Sequence, residues 1–562
     1  MFKSLFILLG AFRMIVIPVQ FQDRDFAITQ EEINTGAKRM ETYLNDQFRD
    51  SRTFQIDIAP QTRIPGGEQY YGRNSTDRKD DKLRALVIRA CNASKNDVDF
   101  SLYDNDGDGT VDLVILLTAG MSEADGAGED CIWPQQAQME TIGGAIYESG
   151  KKINAFVVCP ELKSDSGANP RAMGIGTVVH EIAHAFGLMD MYDTDGELSG
   201  GLSRGLWGTL SLMDHGLDND NGNTPPFFNA FELDQLGLGK CDTLKTGTFS
   251  LAPLGREGRY LKMFSRDGAR SYYLENRKEE SWDSHIGGSG LIVYHVDRSR
   301  NFAGYSDYYQ MNLRAYERWE RNQVNCNPAF QCAEVEAADT SATDISGVFY
   351  PRKGISSIAL PPLAVTNIGF DGDNITFDVI EPVTLKETVC FQDAAILSWA
   401  VSDAIIESSC FVRFREESSS GQDETENIDV KVNRDGEYSL TIEGLKPRTG
   451  YRATIHVVLG DGKDFTRNVS FKTKSYSQGV LPFIYLNSAD RGPGGTFVKN
   501  ARIPLRVFNA PEAAAVEWFF NDVHIQTERD GYYRLTRSGI LRAEVHYEDG
   551  SIDAIEKKIT ME

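Results

Sequence analysis

His180-Glu181-Ile182-Ala183-His184-Ala185-Phe186-Gly187-Leu188-Met189-Asp190 decides how the first half of this 562-residue chain is read. Two histidines four apart put both imidazoles on one helix face, a turn from each other, where they can grip one metal ion. Glu181 lies between them, placed to reach a water at that ion rather than the ion itself. Val178, Val179, Ile182, Ala183 and Phe186 are apolar, so the spacing predicts a core helix over residues 176–186. Gly187 then allows the positive φ that turns the chain sharply off the helix. That turn carries Asp190 back toward the histidines. A carboxylate is a competent third zinc ligand and leaves a fourth position open. The expected site is therefore zinc on His180, His184 and Asp190, with Glu181 as general base. Glu232, on an expected helix, and His215 are rival ligands.

Working outward, residues 13–240 alternate strand and helix signals. Strands are expected at 13–22, 112–117 and 154–159, and helices at 29–46 and 82–91. Thr29 and Glu32 form a capping-box pattern. This alternation argues for an α/β layer structure. From 241 to 382 the pattern turns to strands, clearest at Tyr272-Tyr273-Leu274-Glu275 and at 290–296. Residues 383–475 have the pattern of a β-sandwich, with Trp399 on an early strand and a tyrosine-corner signature at Leu445-Lys446-Pro447-Arg448-Thr449-Gly450-Tyr451. This stretch resembles a fibronectin type III module. Residues 476–562 carry a second sandwich pattern, read as immunoglobulin-like, around Val516-Glu517-Trp518-Phe519-Phe520.

The run Asp104-Asn105-Asp106-Gly107-Asp108-Gly109-Thr110-Val111-Asp112 places carboxylates at the first, third, fifth and ninth positions of a calcium-type loop, with glycine at the sixth. The glutamate of an EF-hand is missing, since Ile115 stands at the twelfth position. A structural calcium ion on Asp104, Asp106, Asp108, Thr110 and Asp112 is expected all the same, because clustered carboxylates repel unless neutralised. Asp218-Asn219-Asp220-Asn221-Gly222 reads as a plain turn.

Met213, in Ser211-Leu212-Met213-Asp214, follows the helix beyond a glycine-rich loop and resembles the Met-turn under the zinc of metzincins. With Val16-Ile17-Pro18-Val19-Gln20-Phe21, the aspartate run leading to Ala119-Gly120, the stretch 180–193, Pro225-Pro226 with Ala230-Phe231-Glu232, and Gly290-Leu291-Ile292-Val293-Tyr294-His295-Val296-Asp297, the chain resembles the M6 family of metallopeptidases, the immune inhibitor A type. The resemblance covers roughly residues 13–380. It implies a metzincin-like catalytic domain at 13–240, a β-rich subdomain at 241–382, and a secreted or cell-envelope zinc endopeptidase acting on proteins or peptides. Carried over by position, His180, His184 and Asp190 become ligands and Glu181 the base. Tyr192 is placed to assist an oxyanion or simply to pack. Family members often carry a long propeptide, whereas this chain begins almost at the first strand.

The formal charge of −24, from 58 Lys plus Arg against 82 Asp plus Glu, argues against a nucleic-acid partner. No stretch is long enough for a transmembrane helix. Residues 1–12 read as a signal remnant or truncated leader, with an apolar run at 5–12. The eight cysteines form no C-x-x-C pair; Cys326 with Cys332, and Cys390 with Cys410, are candidate disulfides. His285, His295, His456, His524 and His546 are scattered and read as core or surface residues. The competing expectations are a metalloprotease-like adhesion or binding protein that no longer cuts, and a metal-dependent amidase. The modules at 383–562 are candidates for binding a cell-surface, glycan or protein partner.

Overall fold

The computed structural model describes residues 11–76, 79–164, 169–264, 269–299, 302–402, 407–417, 425, 427–430, 437–459, 464–474, 482–484, 486, 496–508, 510, 515–528, 531–548 and 550–561. The expected leader lies outside them except for Ala11 and Phe12. The chain forms two compact units, Met1–Ser357 with Asn367–Asp378, and Ile358–Thr366 with Val379–Glu562.

The first unit is built on a seven-stranded sheet with Phe12–Gln20 near its middle. This strand pairs in parallel with Phe54–Ile58 and with Val114–Met121, which in turn pairs in parallel with Ala155–Lys163. Parallel strands need crossover connections, and the helices Gln30–Phe48 and Leu83–Ser94 lie in those crossovers. The strand is apolar almost without interruption because it feeds two cores. Met14 and Val16 share one core with the helices Gln30–Phe48 and Ile175–Ala185, whereas Ile15, Ile17 and Val19 share the other with Leu83–Ser94.

Local chemistry sets the element ends. Thr29 caps Gln30–Phe48 through the expected box: its hydroxyl accepts from Glu32 N–H at 3.2 Å, and Glu32 accepts from Thr29 N–H at 2.7 Å. The strand expected from residue 112 begins at Val114, since the Asp112 carboxylate is engaged by Asn105. After residue 240 the unit continues as a five-stranded sheet through Lys240–Thr243, Arg259–Phe264, Arg270–Arg277, Gly290–Asp297 and Ala333–Val335. At its heart Arg277 is fully buried between Glu275 and Asp283, and also donates to the carbonyls of Leu210 and Phe227. Glu275 in turn accepts from Tyr294 and from the Ala230 N–H.

In the second unit, the sheet Val383–Cys390, Ala395–Val401 and Glu437–Ile442 shares one core with the sheet that contains Glu407–Glu416, Gly450–Leu459 and Asp464–Lys472. Trp399 is fully buried there, and the Tyr451 hydroxyl accepts from Lys446 N–H at 2.8 Å. A further four-stranded sheet holds Val523–Gln526, Ala515–Phe520, Gly539–His546 and Ile552–Ile559 in that order.

Neither candidate disulfide forms; all eight cysteines are free thiols. Cys390 and Cys410 belong to different sheets rather than to neighbouring strands. Cys326 Sγ instead accepts from the buried Arg318 guanidinium at 3.1 Å.

Candidate metal centre

The helix Ile175–Ala185 carries His180, Glu181 and His184, all sheltered from solvent to a large degree. It lies hard against the segment that follows Met213. A Cβ on Gly176 would sit 1.9 Å from the Leu217 carbonyl oxygen, so only glycine permits this approach. Gly187, at φ 101°, ends the helix, and Leu188 N–H returns to the Ala183 carbonyl.

Both imidazoles are oriented from behind. His180 Nδ1 donates to the Leu212 carbonyl at 2.9 Å and His184 Nδ1 to the Leu188 carbonyl at 2.8 Å. Those bonds fix the tautomer and leave each Nε2 lone pair facing inward. Asp190 Oδ1 lies 3.2 Å from His180 Nε2 and 3.1 Å from His184 Nε2. Three electron-pair donors thus converge in a buried space, an arrangement that is repulsive unless a cation or an added proton sits among them. The donor set of two imidazoles and one carboxylate fits a divalent metal.

The electrostatics say the same. Burial works against the His184 imidazolium, but the Asp190 carboxylate outweighs it and holds that ring's pKa up at about 9. Burial would raise the Asp190 carboxyl, yet its bonds to the two histidines hold it well below the usual carboxylate range. Glu181 is raised, chiefly by burial. Its carboxylate accepts the backbone N–H of Gln136, on the edge strand Gln135–Gln138.

Neither rival ligand joins the cluster. One oxygen of Glu232 accepts from the Ser211 hydroxyl and from Met213 N–H, the second at 3.4 Å. The other accepts Asn229 N–H at 2.9 Å, closing a capping box on the helix Ala230–Leu236. Glu232 therefore braces the turn at Met213, whose own carbonyl accepts from Met191 N–H at 2.7 Å. The His215 ring is exposed and faces Tyr192 and Asp214. Tyr192 stacks on His180 with ring centroids 6.4 Å apart and bonds to Asp190.

Residues 18–237 match the family described as immune inhibitor A peptidase M6, catalytic domain. This segment is an M6-family peptidase domain. Immune inhibitor A of Bacillus thuringiensis subsp. alesti is 26% identical over 204 residues, which cover 31% of this chain and 28% of that protein. The chain therefore aligns with under a third of its relative's length. Among solved structures, a redesigned β-sandwich protein is 26% identical, with a TM-score of 0.15, over 17% of this chain and 94% of its own. The fn3 domain of human contactin 1 is 19% identical, with a TM-score of 0.15, over 18% of this chain and 79% of its own. TM-scores this low have no bearing on activity.

One partner of the cluster comes from beyond the matched segment. Asn322 accepts Asp190 N–H at 2.8 Å and donates to Asp190 Oδ2 at 2.5 Å, so it holds the residue at both backbone and carboxylate. Asn322 has φ 53°, a left-handed conformation that asparagine tolerates better than most residues. Sequence reasoning missed it because nothing in the spacing links positions 132 residues apart. The same holds for Ser211, whose hydroxyl bridges Glu232 and the Met213 N–H.

The aspartate run is only partly assembled. Oxygens of Asp104, Asp106 and Asp108 lie within 4.8 Å of one another. Asp112 instead accepts from Asn105, at 2.7 and 2.9 Å, and Thr110 uses its N–H to bond Asp108. Lys151 Nζ lies 2.6 Å from Asp104 Oδ2 and supplies a positive charge of its own. The segment Asp218-Asn219-Asp220-Asn221-Gly222 belongs to the 3-10 helical stretch His215–Gly222, kinked at Asn219 to Asn221, rather than forming a plain turn; Asp220 and Asn221 have positive φ.

Proposed function

We propose that this chain is a zinc-dependent endopeptidase with zinc held by His180, His184 and Asp190. The observation that carries the reading is the convergence of Asp190 Oδ1 and the two Nε2 atoms beside Glu181. Zinc, when bound, supplies the Lewis acidity that activates a water and polarises the scissile carbonyl. Glu181 takes the proton from the attacking water and hands it to the leaving amine, and burial raises its pKa above the ordinary carboxylate value. Gln135–Gln138 pairs along one side only, with Ala155–Lys163, among the described residues. An extended substrate can add to its other edge through backbone hydrogen bonds, which brings its carbonyls past Glu181. Met213 lines the floor as a Met-turn, as in metzincin-like enzymes.

The same reading takes residues 13–240 as the catalytic domain, 241–382 as its β-rich subdomain, 383–475 as a fibronectin type III-like module and 476–562 as an immunoglobulin-like one. The tyrosine corner at Tyr451 supports the third of these. It places calcium on Asp104, Asp106 and Asp108, and the protein outside the cell. No helix among the described residues is long and apolar enough to cross a membrane.

Casein digestion tests the core of the proposal. A chelator is expected to abolish cleavage and added zinc to restore it, and Glu181→Ala to lower kcat/KM by roughly 10³-fold or more while retaining bound zinc. Cleavage by Glu181→Ala at the parent rate would sink the mechanism.

A further inference from the structure

The outward face of the sheet Ala515–Phe520 with Gly539–His546 holds a second group of metal-ligating atoms. Val516, Trp518 and Phe520 point to the core with Ala543 and Val545, so the alternate residues Glu517, Glu544 and His546 share the opposite face. Glu517 and Glu544 stand directly opposite each other in the ladder, and His546 is two residues on from Glu544. One ligand atom from each lies within 4.8 Å of the others. Two carboxylates facing each other across a strand pair are ordinarily unfavourable.

Two features give this cluster a direction. His546 Nε2 is buried without a hydrogen-bond partner and lies 4.0 Å from Glu544 Oε2, so the ring's ligating atom faces the carboxylates rather than water. Glu517 has no ion-pair partner among the described residues; Arg542 engages the other oxygen of Glu544, Oε1. The flanking positions on this face are small, Ala515 opposite His546 and Ala554 opposite Glu544, which leaves room beside the cluster for further ligands such as water.

We propose that Glu517, Glu544 and His546 form a second metal site, for a divalent transition ion of the zinc class, separate from the catalytic centre. One imidazole and two carboxylates are a borderline N/O donor set that suits zinc, cobalt or manganese better than calcium. Tetrahedral ligands at zinc distances stand about 3.4 Å apart, so rotamer adjustment of three partly exposed side chains closes the site without moving the backbone. Bound there, the ion ties two central strands of the last sheet together and neutralises the facing glutamates.

Equilibrium dialysis of the full chain against zinc, with the calcium-loop carboxylates saturated by excess calcium, tests this. The parent is expected to bind two zinc ions per chain. His546→Ala is expected to bind one and to digest casein at the parent rate. His180→Ala is expected to bind one and lose cleavage, and the double variant to bind none. Glu517→Gln, nearly isosteric and on a strand surface, is expected to weaken the second zinc by at least tenfold with an unchanged circular dichroism spectrum. Equal zinc content in the parent, His546→Ala and Glu517→Gln would overturn the site whatever happens at His180. Loss of zinc in His180→Ala without loss in His546→Ala would overturn it equally.

Discussion

The His180–His184–Asp190 centre and the Asp104–Asp106–Asp108 loop are both visible as ligand patterns, yet the structure treats them differently. In the first, every donor is held from behind: Leu212 and Leu188 carbonyls orient the histidines, and Asn322 grips Asp190. In the second, the acids are held mainly by their own loop amides, Gly109 N–H to Asp104 and Asp108 N–H to Asp106, and Lys151 competes for Asp104. Burial alone would raise Asp104, but Lys151 and the loop amides bring it below its usual range. A preorganised site binds without rearranging; an open one must first displace a lysine and order its loop.

That contrast can be broken most forcefully from underneath the buried site. Arg277→Leu removes the charge between Glu275 and Asp283 and leaves the Leu210 and Phe227 carbonyls without their donor. Urea denaturation should show a loss of about 3–5 kcal/mol. Next in size is the pH response of Glu232, whose pKa burial pushes up to about 7 from an ordinary 4.5. Between those values the folded chain holds the proton that the unfolded chain has released. Its contribution to stability is therefore full below pH 4.5, falls as pH rises through 7, and amounts to on the order of 3 kcal/mol. Glu232→Gln should flatten that part of the stability profile; an unchanged slope would remove Glu232 as its source. Asn322→Ala should weaken zinc by about 10- to 100-fold with little change in thermal midpoint, measured by competition with a chromophoric chelator. Asp106→Ala should have the smallest effect, below about 1 kcal/mol without calcium. It should abolish the fall in thermal midpoint that a calcium-selective chelator causes in the parent. A chelator response that survives in Asp106→Ala would place the calcium elsewhere.

The part of the site within one stretch of chain was legible because helix geometry is local. His180 and His184 need only a four-residue spacing, and Gly187 only its tolerance of positive φ. The unbroken apolar run from Met14 to Val19 marked a buried strand, though not which of two cores each side chain enters. Glu232 was misjudged as a rival ligand because a buried glutamate near a metal motif has two uses, and only the fold shows its oxygens taken up by Ser211, Met213 and Asn229. His546 read as one of five scattered core or surface histidines, since strand pairing, not sequence distance, brings Glu517 to it. The disulfide candidates failed for the same reason: proximity in sequence or in an assumed sheet does not fix which strands are neighbours.

The grip of Asn322 on Asp190 also bears on how this protein can be dissected. A fragment ending with the matched residues at 237 would keep His180, His184 and Glu181, yet give up the clamp on Asp190 and the guanidinium that tethers Leu210 and Phe227. The smallest piece worth expressing as an enzyme is therefore set by this long-range wiring and not by the boundary of the recognisable domain.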